Sequence, residues 1–157
     1  MKARAIYLSL ALGLIAMTIK GQSFNLNDLI QCHKKDVQEL TGFLNLKSSN
    51  WIFKGHDDDR NWWEYANGTS TSILYKLDGG VDESEIILIT DNTNIAKTIS
   101  NDVKKNNMKS IDNKAMYLGA NYFVFFKWEE DNKGATVWRI SLSTKTAYLN
   151  LKERFDK

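Results

Sequence analysis

The sequence predicts an α+β domain: one antiparallel sheet of about six strands, with helices packed mainly on one face. Three observations predict it. Apolar residues alternate over several short runs, as on half-buried strands. Two stretches switch to helical spacing, one before the strands and one between them. The strand runs are joined by Gly, Asn and Asp turns, most of them too short for the crossovers that parallel pairing needs. The helices must then cover an apolar sheet face.

The elements follow in order. Leu29 and Ile30, after a candidate cap at Asn27, mark a short helix. Asp36 and Glu39 have capping-box spacing, and Val37, Leu40, Phe43 and Leu44 form one apolar stripe, so a second helix starts there. Trp51-Ile52-Phe53 leads into the acidic turn Asp57-Asp58-Asp59. Trp62-Trp63-Glu64-Tyr65 ends at Asn67-Gly68, a strong turn signal. From Thr71 to Leu77 the residues Ile73, Tyr75 and Leu77 share one face, and Gly79-Gly80 stops the run. Ile86-Ile87-Leu88-Ile89 is continuously apolar, which predicts a central strand buried on both sides. A helix capped by Thr93 or Asn94 carries Ile95, Ile99 and Val103 on one stripe, and Asn106-Asn107 ends it. Ala115 to Leu118 and Tyr122 to Trp128 read as strand, Asp131 to Gly134 as turn, and Thr136 to Ser143 as a strand with Trp138, Ile140 and Leu142 inward. Tyr148, Leu151 and Phe155 suit a short terminal helix. The two halves echo each other, each a helix followed by strands.

The first 21 residues bear on where the protein works. Lys2 and Arg4 precede an apolar run from Ala5 to Ile19, followed by Lys20-Gly21-Gln22. A basic head, a short apolar middle and a small residue before the polar break are the marks of a secretory signal peptide, with residues 22–157 forming a single mature domain. The rival reading is an uncleaved anchor. The run of 15 residues is short for a membrane span, which needs about 20. The expected location is periplasmic or secreted, with no stable membrane insertion after cleavage.

That assignment changes the charge balance. The full chain carries 21 basic and 19 acidic residues, net +2. The leader holds Lys2, Arg4 and Lys20 and no acid, so the remainder has 18 basic against 19 acidic residues, net −1. A near-neutral domain offers no general electrostatic case for nucleic acid. A single cysteine, Cys32, cannot form an internal disulfide, so stability must come from burial. Cys32 itself reads as a small buried hydrophobe.

No motif carries chemistry. Asp57, Asp59 and Asn61 match positions 1, 3 and 5 of a calcium loop, but Trp62 stands where that loop needs glycine and Gly68 where it needs a bidentate glutamate. The tract reads as a solvated hairpin tip, with no metal. His33 and His56 are the only histidines, and with one cysteine they cannot build a structural zinc site. No serine lies in a nucleophile elbow, and Cys32 and His33, adjacent on a helix, point apart. Glu64, among Trp62, Trp63 and Tyr65, is the one acid in the apolar company that a glycoside hydrolase acid needs, and nothing marks its partner. Asn67-Gly68-Thr69 is a glycosylation sequon, read here as a turn. No catalytic residue and no cofactor is implied.

The aromatics are the remaining hint. Core packing accounts for most of them. Yet Trp62 and Trp63 fall on opposite sheet faces, as do Phe125 and Phe126. If helices cover one face, aromatics on the other form a platform for a partner or a sugar ring. Trp62, Trp63, Tyr65, Phe123 and Phe125 are the candidate binding residues.

The leader ending Lys20-Gly21-Gln22, the helix Val37 to Leu44, the run Trp51-Ile52-Phe53 and the aromatic Trp62 to Tyr65 together resemble small exported α+β proteins of Bacteroidota-type bacteria. The resemblance implies export and transfers no catalytic residue. The expected function is an exported, non-enzymatic binding protein, of inhibitor or immunity type among others, that holds a protein or glycan on an aromatic sheet face. The alternative is a small cell-envelope hydrolase using carboxylates near that cluster.

Overall fold

Helix α1 (Leu26–Lys34) starts where two side chains close on each other's backbone. Asn25 Oδ1 accepts from Asp28 N at 2.9 Å, and Asp28 Oδ2 accepts from Asn25 N at 3.0 Å. This reciprocal capping box places the cap at Asn25, two residues before the expected Asn27, because only Asn25 has an acid at the third helical position. Helix α2 (Val37–Lys47) is capped by Asp36, whose Oδ1 accepts from Glu39 N at 2.8 Å. The computed structural model describes residues 23–77, 84–111, 115–130 and 134–155. The leader at residues 1–21, the Gly79-Gly80 stop and most of the turn at 131–134 lie outside the described residues.

Four strands follow: β1 (Trp51–Asp57), β2 (Arg60–Ala66), β3 (Thr71–Leu77) and β4 (Glu85–Thr90). Then come helix α3 (Thr93–Lys105), strands β5 (Lys109–Ile111), β6 (Met116–Leu118), β7 (Tyr122–Glu130) and β8 (Thr136–Thr144), and helix α4 (Lys145–Phe155). All eight strands form one antiparallel sheet in the order β1-β2-β3-β4-β8-β7-β6-β5. The sheet is therefore two four-stranded meanders joined where β4 pairs with β8. Helix α3 carries the chain from β4 at the seam to β5 at the far edge.

The strand count corrects the expected six. Strands β5 and β6 have three residues each, too few to show an alternation, and β5 exists because β6 pairs with it through Lys109↔Leu118 and Ile111↔Met116. The cap of α3 is Asn92, one residue before the expected pair, with its side chain accepting from Asn94 N. Its end is as expected: Asn106 is the C-cap, and Asn107 takes the left-handed φ of 54° that ends a helix without glycine. The acidic tract is a tight hairpin in which Asp57 pairs with Arg60 and Asp58 has φ of 51°.

The core lies between α1–α3 and one face of the sheet. Leu29, Cys32, Leu40, Leu44, Ile95, Ile99 and Val103 from the helices join Trp51, Trp63, Tyr65, Leu74, Leu88, Ile140, Leu142, Val124 and Phe126 in one buried cluster. Strand register explains the selection. Trp63 opposes Leu74, Leu74 opposes Leu88, Leu88 opposes Ile140 and Ile140 opposes Phe126, one continuous row. Cys32 is fully buried, and burial pushes its thiol pKa up, so it is an inert packing residue.

Polar groups in this layer are tied to helix ends. The buried Lys76 donates from Nζ to the carbonyl of His33 at 3.0 Å, placing a cation at the C-terminus of α1. Asp102 of α3 accepts from Leu26 N, placing an anion at its N-terminus. Asp28, also buried, pairs with Lys47 of α2 at 2.6 Å. Among the described residues no helix is long and apolar enough to cross a membrane.

Candidate binding face

The residues between the core positions point to the other side of the sheet. They form a second row that runs through all eight strands: Gly55↔Trp62↔Tyr75↔Ile87↔Ser141↔Phe125↔Met116↔Ile111. Trp62, Tyr75, Phe125 and Met116 are partly exposed, while Ile87 and Ser141 at the seam are buried. A one-residue bulge after Phe53 starts the row by bringing Gly55 opposite Trp62. Gly55 has φ of 146°, and a Cβ there would meet the Trp62 ring at 3.5 Å. The indole therefore packs against the edge strand at Gly55, where the positive φ, not lack of space, calls for glycine.

Charged residues flank the row on both sides. One flanking row is Glu64↔Ile73↔Ile89↔Arg139↔Lys127, and the other is Arg60↔Leu77↔Glu85↔Ser143↔Phe123. Lys54 reaches Glu64 at 3.1 Å, and Lys127 reaches Glu129 at 2.7 Å. Glu85 on this face is mostly buried beside Ser141 and Arg139. Burial raises its pKa, while the Ser141 hydrogen bond and the Arg139 charge oppose the rise. Toward one end, a hollow of about 440 Å³ is lined by Ile73, Tyr75, Ile89 and Val137 together with Asp91 and Glu129.

The five sequence-predicted residues do not stay together. Trp62 and Phe125 share the open row. Phe123 faces the same side, but its ring stacks on Tyr148 of α4 at 4.1 Å and 11° between planes, so the terminal helix covers part of it. Trp63 and Tyr65 lie on the opposite face and are fully buried in the core. Trp63 Nε1 donates to Thr41 Oγ1 at 3.0 Å beneath α2, and the Tyr65 ring packs on Trp51. The alternation that exposes Trp62 turns Trp63, and with it Tyr65 two positions on, inward, so they serve the scaffold and not the surface. Sequence reading missed Tyr75, Ile87 and Met116. The signal for Tyr75 was present: the Asn67-Gly68 hairpin sets the register that puts it opposite Trp62.

The carboxylates near the face are already engaged. Glu64 is about two-fifths exposed and ion-paired to Lys54. Both oxygens of Asp91 accept from Thr71 N at 3.0 Å. Asp57 and Asp59 lie near Arg60 at the hairpin tip, and the Asn67 amide oxygen closes its own turn onto Thr69 and Ser70. No protein-family model, curated protein or solved structure matches the chain.

Proposed function

We propose that this chain is an exported, non-enzymatic binding protein that holds a protein partner on the sheet face carrying Trp62, Tyr75 and Phe125. The observation that carries the reading is the unbroken register row across eight strands on the side away from α1–α3. Seven inter-strand steps of ~4.8 Å make a face about 34 Å long. With its two flanking rows it spans an area on the order of 700 Å², part of it covered by α4 at Phe123, against the ~800 Å² one partner contributes to a standard interface. Aromatics and Met in the middle with charges at the margins match the composition of such interfaces. This breadth favours a protein over a sugar chain. Binding is favoured over hydrolysis because Glu64 is half solvated and paired, and Asp91 caps a strand. A hydrolase acid needs an apolar pocket and a free carboxyl. Export rests on the leader residues alone.

The test uses the protein as bait in its own host. Capture of one protein that is lost with Trp62→Ser plus Phe125→Ser, and kept with Leu46→Ser on the other side, supports the reading. Leu46 is the control because it is nine-tenths exposed on α2. Capture unaffected by the face substitutions refutes it. Glycan turnover that disappears on replacing Glu64 or Asp91 would establish the hydrolase instead.

A further inference from the structure

On the helix side of the sheet, beyond α3, lies a groove of about 460 Å³ between that helix and β6–β8. Its sheet wall is aromatic: Tyr117, Phe126 and Trp138. The Tyr117 and Phe126 rings meet edge to face at 5.9 Å, and Trp138 is stacked on the exposed Trp128. Its helix wall is polar and positive. Lys97, Ser100 and Lys104 line it, and both lysines are exposed. Positions seven apart share one helix stripe and lie about 10 Å from each other along the axis. Neither lysine forms an ion pair among the described residues, and no acid from those residues lines the groove. The α3 residues that face the core, Ile95, Ile99 and Val103, are a different stripe, so packing does not account for the two lysines.

We propose that this groove binds a small planar organic anion: an aromatic ring system of one to three rings carrying a carboxylate or sulfonate. The ring stacks on the flat side chains of the sheet wall, and the acid group takes charge-assisted hydrogen bonds from a lysine ammonium. The volume lies within the ~300–1,000 Å³ of small-molecule sites. This site is on the opposite side of the sheet from Trp62 and Phe125 and does not depend on the partner reading above.

The experiment uses two probes that differ only in the presence of a sulfonate group. One is 1-anilinonaphthalene-8-sulfonate, and the other is uncharged N-phenyl-1-naphthylamine. The sulfonate probe is expected to saturate one site, with amide shifts confined to α3, β6 and the neighbouring part of β7 and β8. Lys97→Gln with Lys104→Gln should weaken the sulfonate about tenfold and the neutral probe by less than about twofold. These exposed lysines are removable without loss of fold, which an unchanged thermal midpoint verifies. Tyr117→Ala should weaken both probes. Three outcomes overturn the proposal: no saturable binding below about 1 mM of the sulfonate, equal loss of both probes in the lysine variant, or shifts centred on Trp62 and Phe125.

Discussion

The two halves of the molecule use the same parts and close differently. In the first, α1 and α2 both precede the meander β1–β4; α2 packs on β1 and α1 lies over the seam strands β4 and β8, so that Leu29, Leu40 and Leu44 join Trp63, Tyr65 and Leu74 in the buried cluster. In the second, only α3 precedes the meander β5–β8. The other helix, α4, follows it and lies against the far face through the Phe123–Tyr148 stack. On the helix side the first half encloses Trp51, Trp63 and Tyr65 and exposes Phe53 at its edge strand, whereas the second encloses Phe126 and leaves Tyr117 and Trp138 partly exposed beside α3. Strand length goes with this difference. Strands β1–β3 have seven residues each, whereas β5 and β6 have three and offer little surface to hold a second helix.

The largest test of that contrast is truncation of one aromatic in each half. Trp63→Ala empties a fully enclosed site and should cost about 3–5 kcal/mol. Tyr117→Ala, at a wall already open to solvent, should cost on the order of 1 kcal/mol. Urea unfolding of the two variants measures both, and equal losses would mean that the groove is closed in solution.

Next in size is the capping box that anchors the sealed half. Asp28→Ala removes the acceptor for Asn25 N and the partner of Lys47 together. The expected loss is about 1–2 kcal/mol. A double-mutant cycle with Lys47→Met separates the ion pair from the cap, and a coupling near zero would assign the whole effect to the cap.

The Phe123–Tyr148 stack tests the other half. Phe123→Ala should cost about 1 kcal/mol and speed hydrogen exchange in α4 while leaving α1 and α2 unchanged. Uniform acceleration across the sheet would show that α4 is part of the main cooperative unit.

The smallest effects are pH-dependent and have opposite signs. Burial lowers the pKa of His33, with the Ser84 carbonyl hydrogen bond opposing and the charges of Lys76 and Lys34 assisting. The unfolded chain then binds more protons than the native one below the ordinary value of 6.5, so stability falls as pH drops through that value. Glu85 behaves in the other sense. Its raised pKa means that the native state holds the proton longer, so its contribution weakens as pH rises from the ordinary value of 4.5. Thermal midpoints of Glu85→Gln should exceed those of the parent at pH 7 and converge with them in acid. A gain that persists unchanged at pH 3 would show that charge is not the cause.

Much of the fold was legible from local rules. The turns at Asp57–Asp59 and Asn67-Gly68 set hairpin registers, and period-two alternation separated Trp62 from Trp63 and Phe125 from Phe126. The stripe Ile95, Ile99, Val103 placed α3, and Asn106-Asn107 ended it, since these signals act over one or two turns of chain. The start of α2 at Asp36 is as expected, while those of α1 and α3 lie one or two residues earlier, because several Asn and Asp side chains compete for each of those caps and the reciprocal bond of Asp28 selects Asn25.

Other features depended on residues far apart in sequence. Strand β5 is defined by its pairing with β6, and Trp63 and Tyr65 are core because α1–α3 settle on their side of the sheet. Alternation says that two neighbours face apart, but not which of them is covered. The covered side is fixed by burying the helices' apolar stripes, an energy that depends on where those helices dock. The sequence by itself determined the hairpins, the amphipathic helices and the two-sided strands, because each is set by neighbours within a few residues. Only the tertiary structure decided which aromatics stay at the surface, how the two meanders join at β4 and β8, and that α4 sits opposite the other helices, because those outcomes depend on contacts between segments distant along the chain.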